Sequence, residues 1–228
     1  SVDVATYPAE FLSHYYENKR RPLAHYAFGR IDLWARLASI APGIVNAINN
    51  APIIRSIIKS ALHIHDKRKF PRFARPFIPD RRLARDPRRR RDRRPSLPDA
   101  ATEVFLWADT FNNYFHPNTM RAAHQVLTSA GFRVTLPAQH LCCGRPLYDF
   151  GMLDTAKTYL LKILDALEPQ LAAGTPIVVL EPSCASVFRD ELTNLLPNDP
   201  RAPKLRDQTR LLSEFLVKHA PNDTPPQT

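Results

Sequence analysis

The three cysteines of the chain are the side chains best suited to redox or metal chemistry. Cys142 and Cys143 are adjacent and precede Gly144, and Cys184 follows 41 positions after Cys143. Adjacent thiols do not easily close a disulfide on each other, because the small ring strains the bond. The pair therefore favours ligation of a metal or a cluster, and Gly144 lets the backbone turn sharply or approach a bulky inorganic group.

The number of thiols limits what such a site can hold. An iron–sulfur cluster generally takes four protein ligands, mostly thiolates, so one ligand would have to be another donor. Carboxylates and imidazoles can ligate iron or zinc, and the candidate extra ligands or site-lining residues are Asp109, Glu181, His140 and His116. Two alternatives stay open: the cysteines are small buried hydrophobic residues, and the polar, aromatic loop 109–117 is a turn that caps the next helix.

The composition fits a folded protein of a reducing compartment. An odd and small number of cysteines is unlike a secreted disulfide framework. The sequence shows neither a secretory signal nor an apolar stretch of membrane-spanning length. We therefore expect a cytoplasmic location, with association at the inner face of the membrane as the alternative. Because the chain begins with Ser1 rather than Met, we expect a piece of a longer protein.

The net charge of +10 has a local origin. Residues 67–94 hold 14 of the 32 Lys and Arg residues but 3 of the 22 acidic ones, which leaves 18 basic and 19 acidic residues elsewhere. Interleaved with prolines, such a run repels itself and predicts a solvated, disordered linker. An arm that contacts anionic lipid, nucleic acid or an acidic partner is the alternative. We expect no specific nucleic-acid binding, because no folded recognition motif accompanies the charge.

Residues 1–65 are predicted to be helical, because apolar residues recur three and four positions apart. Prolines and a glycine divide the stretch near residues 42 and 52. The pieces 44–48 and 53–62 carry isoleucine, valine and alanine on one side and Arg55, Lys59 and asparagine on the other. Such helices either pack on a partner domain, which we favour, or lie on a membrane surface.

From residue 103 onward, strands alternate with helices. Strands are predicted at 104–107, 133–137 and 177–180, and helices at 118–130, 153–167, near 183–186 and at 205–219. The pattern predicts an α/β fold: a Rossmann-like open parallel sheet flanked by helices, preceded by the helical N-terminal segment and the disordered basic linker. Ligands gather at the carboxyl ends of strands in such sheets, and Asp109, Cys142, Cys143 and the segment 181–184 all follow strands. We expect these residues to converge.

The motif Cys142-Cys143-Gly144 resembles the cysteine-rich CCG domain found in the B-type chain of heterodisulfide reductase, the glycolate oxidase iron–sulfur subunit and lactate-utilisation proteins. In that module a CCG and a later CxxC bind a cluster or zinc. Cys184 matches the last cysteine of CxxC, whereas Glu181 stands at the first and the upstream cysteine expected near 107–109 is absent. The resemblance implies that Cys142, Cys143 and Cys184 are metal ligands.

Two longer stretches, CCGRPLYDFGMLDTAK (142–157) and VVLEPSCASVFRDEL (178–192), resemble the iron–sulfur half of fused FAD-linked D-lactate or glycolate dehydrogenases. The start of the chain is similar to the helix that follows a ferredoxin-type cluster motif. The resemblance implies a 4Fe-4S cluster or zinc here and FAD in a separate domain of the parent. The implied partners are a flavin dehydrogenase domain or subunit, a ferredoxin-type cluster domain, and a quinone or other electron acceptor.

The expected organisation is a helical segment at 1–65, a linker at 66–100, the CCG domain at 101–220 and a disordered tail at 221–228. The favoured function is electron transfer from the flavin to an acceptor, without catalytic residues in this chain. The alternative is a degenerate CCG domain that acts as a structural or docking module, with zinc or no metal.

Overall fold

The structure is a computed structural model that describes residues 6–78 and 102–219. The predicted linker from residue 79 onward and the predicted tail at 221–228 lie outside the described residues, so their predictions stand as made.

Four parallel strands form one sheet in the described part of the chain: β1 (Glu103–Leu106), β2 (Arg133–Thr135), β3 (Ile177–Val179) and β4 (Thr209–Leu211), in the order β2-β1-β3-β4. Phe105 of β1 lies opposite Thr135 on one side and Ile177 on the other. The chain runs outward from β1 to β2 and then returns to β3, so the strand order reverses between β1 and β3. Ligands bind at such a switch point in open α/β sheets. The predicted α/β class is confirmed.

Helices cover both faces of the sheet and also build the N-terminal segment. Their bounds are α1 (Thr6–Tyr15), α2 (Leu23–Gly29), α3 (Ile31–Ala38), α4 (Pro42–Asn50), α5 (Pro52–Ala61), α6 (Thr110–Tyr114), α7 (Pro117–Ser129), α8 (Arg145–Asp149), α9 (Leu153–Ala166), α10 (Glu168–Ala173), α11 (Pro182–Ser186), α12 (Leu192–Leu195), α13 (Arg201–Gln208) and α14 (Leu212–His219). A π-helical turn, Val187–Glu191, joins α11 to α12.

Alternation along the buried strands divides the core into two layers, because successive side chains of a strand point to opposite faces. Val104 and Leu106 face a layer built with α7 and α14, which contribute Leu127 and Phe215. The other layer lies against α9, α11 and α13 and is formed by buried residues that include Phe105, Trp107, Leu160, Ile163, Val179 and Phe188. Cys143 and Cys184 belong to this second layer.

The N-terminal helices pack on the cysteine-containing domain. Helices α1 and α2 contact α8, and α3 contacts α6. Small side chains allow the approach, because Ala9 and Ala35 are buried, and the guanidinium group of Arg21 donates hydrogen bonds to the carbonyl oxygens of Phe150 and Gly151. The packing surface is therefore supplied within this chain.

The start of the predicted linker also lies against the domain. The amide of Ala74 donates to the carbonyl of Tyr114 at 2.7 Å, and the side chain of Asn113 exchanges two hydrogen bonds with the backbone of Ile78. Phe73 packs against Phe115, and Phe77 packs against the α7 layer. These apolar side chains give residues 73–78 contacts that the Arg and Pro content around them does not suggest.

The C-terminal region differs from its predicted single helix over 205–219. Helix α13 ends at Gln208, the strand β4 follows, and α14 begins at Leu212. Val178 lies opposite Arg210 in parallel register, so pairing with the buried strand β3 overrides the helical pattern. Within the described ranges no single helix is long and apolar enough to cross a bilayer; α3 and α4 reach that length and composition only together, with a bend of 114° between them.

Candidate functional site

The three thiols meet at the carboxyl edge of the sheet. The Sγ atoms of Cys184 and Cys143 lie 3.1 Å apart, and Cys142 is hydrogen bonded through its side chain to Cys143. All three are free and buried. Gly144 has φ of 81°, the left-handed conformation that glycine adopts without strain, and this turn starts α8 directly after the cysteine pair. The structure thus brings together the cysteines expected to converge.

The thiols are protonated at neutral pH in this arrangement. The pKa of Cys142 is well above its ordinary value because of the hydrogen bond with Cys143, burial, and the nearby charges of Cys143 and Asp32. For Cys143 the bond with Cys142 lowers the pKa, but the bond with Cys184 and burial raise it more strongly. For Cys184 the bond with Cys143 lowers the pKa, and burial together with the carboxylate of Asp109 raises it.

Asp109 follows β1 and caps the short helix α6. Its Oδ1 accepts from the Asn112 amide and its Oδ2 from Asn112 Nδ2, both at 2.8 Å. Burial raises its pKa against these hydrogen bonds, and the charge of Glu181 raises it further. The capping turn considered for the loop 109–117 is therefore present, and both oxygens of a carboxylate beside Cys184 are already in use.

Glu181 follows β3 and caps α11. Its Oε1 accepts from Ser183 Oγ at 2.7 Å and from the Ser183 amide at 3.5 Å. A side-chain oxygen at the N-cap position accepts a hydrogen bond from a backbone amide of the first turn, and Glu181 does so here. The carboxylate at the first position of the resembled CxxC is therefore satisfied by hydrogen bonds within its own turn.

A second polar cluster borders Cys142 from the N-terminal segment. Asp32, near the beginning of α3, is buried and accepts from the hydroxyl of Tyr159 at 3.2 Å. His140 Nε2 lies 4.0 Å from Asp32 Oδ2, and both side chains are buried. Burial raises the pKa of Asp32, and burial followed by the charge of Asp32 raises the pKa of Tyr159 to about 12.

Sequence reasoning identified His140 but missed Asp32 and Tyr159. Tyr159 lies on α9, and its side chain faces the position that a Cβ on Gly144 would take. A single acidic residue in an otherwise apolar helix face, as Asp32 is in α3, was the available signal. His116 is exposed at the beginning of α7, so this candidate lies outside the buried cluster.

The loops that carry the cysteines are joined by a partly buried ion pair. Arg145, directly after Gly144, pairs with Glu191 at the end of the π-helical turn and with Asp149 at 2.8 Å. Burial raises the pKa of Glu191 despite this arginine. Single π-helical turns inside α-helices are frequent at functional sites, and this one positions Glu191 to face the turn after the cysteine pair.

The thiols suit a thiolate-bound metal group in donor type, since thiolates are the ligands of iron–sulfur clusters and of many zinc sites. The indole N–H of Trp107 is buried and lowers the pKa of Cys184. Within the described residues it makes no hydrogen bond of ordinary geometry. In residues 6–78 and 102–219, however, no three His, Cys, Asp or Glu side chains are arranged to hold a metal ion. Binding of zinc would remove the protons of the thiols. It would also require the sulfurs of Cys143 and Cys184 to separate from 3.1 Å to roughly 3.8 Å, because each would lie about 2.3 Å from one tetrahedral zinc.

Comparison with known proteins shows a similarity that covers this site. Residues 109–189 match the cysteine-rich CCG domain. The chain is 25% identical to a subunit of the anaerobic glycerol-3-phosphate dehydrogenase of Escherichia coli (strain K12) over 202 residues, 88% of this chain and 48% of the relative. It is 30% identical to lactate utilization protein A of Bacillus velezensis over 119 residues, 50% of this chain and 48% of the relative.

The chain spans about half the length of the curated relatives it matches. No solved structure shows a significant match to it. The resemblance carried by Cys142, Cys143 and Cys184 is confirmed by the family match, which covers residues 109–189 of this chain.

Proposed function

We propose that this chain is the electron-transfer module of a flavin-linked dehydrogenase, with Cys142, Cys143 and Cys184 as ligands of an iron–sulfur centre. The observation that carries the proposal is the contact of Cys143 and Cys184, two thiols from separate loops whose sulfurs lie 3.1 Å apart at the strand-order switch of the sheet. The similarity to named dehydrogenase and lactate-utilization proteins supports the same assignment.

The surroundings of the thiols suit a redox centre. Once bound, an iron–sulfur cluster supplies one-electron transfer at a potential set by charge, hydrogen bonds to sulfur and solvent exposure. The apolar layer that contains Trp107 and Phe188 excludes water from one side. The carboxylates of Asp32 and Asp109 add negative charge, which disfavours a further electron and lowers the reduction potential.

The proposed partners follow from the module's role. FAD resides in a separate domain or subunit, a ferredoxin-type cluster domain lies between it and this chain, and a quinone or another acceptor takes the electrons. We propose a 2-hydroxy acid of the D-lactate or glycolate type as the substrate of the parent. Lactate and glycerol 3-phosphate, which occur in the names of the relatives, are both oxidised at a secondary alcohol, so the substrate class extends to such alcohols.

Anaerobic reconstitution tests the proposal. The full chain is incubated with ferrous iron, sulfide and reductant, desalted, and assayed for iron, acid-labile sulfide and the electron paramagnetic resonance of the reduced state. We expect bound iron and sulfide with a reducible signal, lost in Cys184→Ser and kept in Asn194→Ala, a control on the exposed face of α12. Iron and sulfide contents near zero in the unmodified chain would refute it.

One observation favours a structural or docking module as the second candidate. Glu181 acts as a helix cap where the related motif has a cysteine. Glu181→Cys supplies a fourth thiol, and Glu181→Ala removes the carboxylate alone. If the domain is a cluster site short of one ligand, iron and sulfide rise in Glu181→Cys but not in Glu181→Ala; near-zero contents in all forms favour the structural module.

A further inference from the structure

The sulfur atoms of Cys143 and Cys184 are close enough to react with each other. The thiol of Cys184 donates a hydrogen bond to the sulfur of Cys143, and the two Sγ atoms lie 3.1 Å apart. A disulfide bond is about 2.05 Å long, so the sulfurs must approach each other by about 1 Å. Rotation about the two Cα–Cβ bonds moves the sulfurs through distances of this size while the backbone stays in place.

Cys142 is a less suitable partner for a disulfide. Its side chain is hydrogen bonded to Cys143, but a disulfide between neighbouring residues closes a small, strained ring. Cys143 and Cys184 instead follow different strands, β2 and β3, and lie 41 positions apart in the chain. The fold therefore favours one pair among the three thiols.

Burial favours closure of this pair over other products of oxidation. Cys143 is 5% exposed and Cys184 is 4% exposed, and both lie in the apolar layer that contains Trp107 and Phe188. A small oxidant such as hydrogen peroxide converts one thiol to a sulfenic acid. The second thiol is already in contact with it and reacts before another oxidant or an external thiol reaches the site, because contact between two reactants gives a high effective concentration.

We propose that Cys143 and Cys184 form a reversible disulfide bond under oxidising conditions when no metal holds them. First, one sulfur attacks an oxygen of hydrogen peroxide, the O–O bond breaks, and a sulfenic acid and one water form. The other sulfur then attacks the sulfenic sulfur, and the hydroxyl group leaves with the thiol proton as a second water. An external dithiol returns two electrons and two protons by thiol–disulfide exchange and restores both thiols.

The disulfide controls whether a metal can enter the site, a consequence that rests on the proposed function. The thiolate is the form of cysteine that ligates a metal, and a disulfide keeps two of the three proposed ligand sulfurs bonded to each other. Cys142 is then the one thiol left. Oxidation therefore closes the site to metal, and reduction opens it again.

Peptide mapping of the full chain tests the proposal. The chain is freed of metal with a chelator, treated with hydrogen peroxide, alkylated in urea and digested with trypsin. Arg145 precedes a proline, so trypsin leaves Cys142 and Cys143 together in residues 134–157 and Cys184 in residues 163–189. We expect mass spectrometry to find these two peptides linked, and the link to disappear when the oxidised chain is reduced before alkylation.

Three serine variants identify the sulfurs that are joined. The yield of linked peptide should be unchanged in Cys142→Ser, which is the matched control, and at least tenfold lower in Cys143→Ser and in Cys184→Ser. Circular dichroism verifies that each variant is folded. A link of equal yield in Cys143→Ser would assign the bond to Cys142 and overturn the pairing, as would an unmodified chain that forms no link.

Zinc uptake tests the consequence separately. At equal zinc concentration the oxidised chain should bind at least tenfold less zinc than the reduced chain, and reduction followed by desalting should restore uptake. Equal uptake by the two forms would overturn the control of metal entry. The linked peptide is measured without metal, so its absence would refute the disulfide while the iron and sulfide assay still decides the proposed electron transfer.

Discussion

Gly151→Ala should detach the N-terminal helices from the CCG domain. Gly151 has φ of 64°, and a Cβ at this position would lie 2.5 Å from the Ser13 amide nitrogen and 2.7 Å from the Ala9 carbonyl oxygen. These are backbone atoms of α1, which cannot move aside as a flexible side chain does. The helix must therefore shift as a unit, by about 1 Å, to restore van der Waals contact at roughly 3.5–4.0 Å.

The loss of stability has two parts. A non-glycine residue in the left-handed conformation costs about 1–2 kcal/mol. Displacement of α1 also weakens the hydrogen bond between Tyr148 and Thr6, which is 2.9 Å long, and the bonds from Arg21 to the carbonyls of Phe150 and Gly151. Hydrogen bonds contribute about 0.5–1.5 kcal/mol each, and more from a charged donor, so we expect a total loss of about 3–5 kcal/mol.

Gly174→Ala separates the two parts, because Gly174 has φ of 70° and open space where a Cβ would stand. This control should lose only the conformational part, about 1–2 kcal/mol. Urea unfolding of the full chain, followed by circular dichroism, measures both variants, and limited proteolysis reports release of α1. Equal destabilisation of the two variants would refute the packing of α1 against Gly151.

Three further outcomes test the surroundings of the thiols. Burial raises the pKa of Asp32 above 3.8, so the stability that its protonated form contributes is lost as pH rises through the raised value. Urea unfolding from pH 4 to 8 should therefore show that Asp32→Asn is more stable at pH 7 and that its unfolding free energy depends less on pH. An unchanged pH dependence would contradict this. The three buried thiols should react with iodoacetamide at pH 8 at least tenfold more slowly in the folded chain than in urea, as measured by mass spectrometry; equal rates would show open thiols. Arg145→Ala should destabilise the chain by about 1–3 kcal/mol, because it leaves the buried carboxylate of Glu191 without its charged partner, whereas an effect below about 0.5 kcal/mol, the level of a surface substitution, would show that the ion pair does not join the cysteine loops.

The alternation of strands and helices was accessible from sequence because both signals are local. The strand β3, apolar on both sides, and the glycine after the cysteine pair predicted the buried centre of the sheet and the sharp turn at Gly144. Convergence of Cys143 and Cys184 followed from the rule that parallel strands end at one edge. Strand β4 could not be predicted in this way, because its three residues continue the amphipathic pattern of the flanking helices. They form a strand only through their pairing with β3.

The sequence alone did not place the N-terminal helices beside the thiol site. Asp32 and Tyr159 meet beside Cys142 only after α3 packs on α6 and α9 crosses behind Gly144. The π-helical turn after Cys184 has no sequence pattern of its own, yet it sets the pairing of Glu191 with Arg145. This part of the site is therefore formed by contacts between residues distant in the chain, which helix and strand propensities and motif spacing do not predict.

X-ray absorption at the zinc edge tests most directly whether Cys142, Cys143 and Cys184 form one metal-binding centre. Zinc is the probe because every sulfur within bonding distance must then come from the protein rather than from added sulfide. The account predicts three sulfur neighbours at about 2.3 Å and one oxygen or nitrogen at about 2.0–2.2 Å, with one sulfur fewer in Cys184→Ser. Zinc bound by oxygen and nitrogen alone would contradict the account. So would a number of sulfur neighbours that Cys184→Ser leaves unchanged.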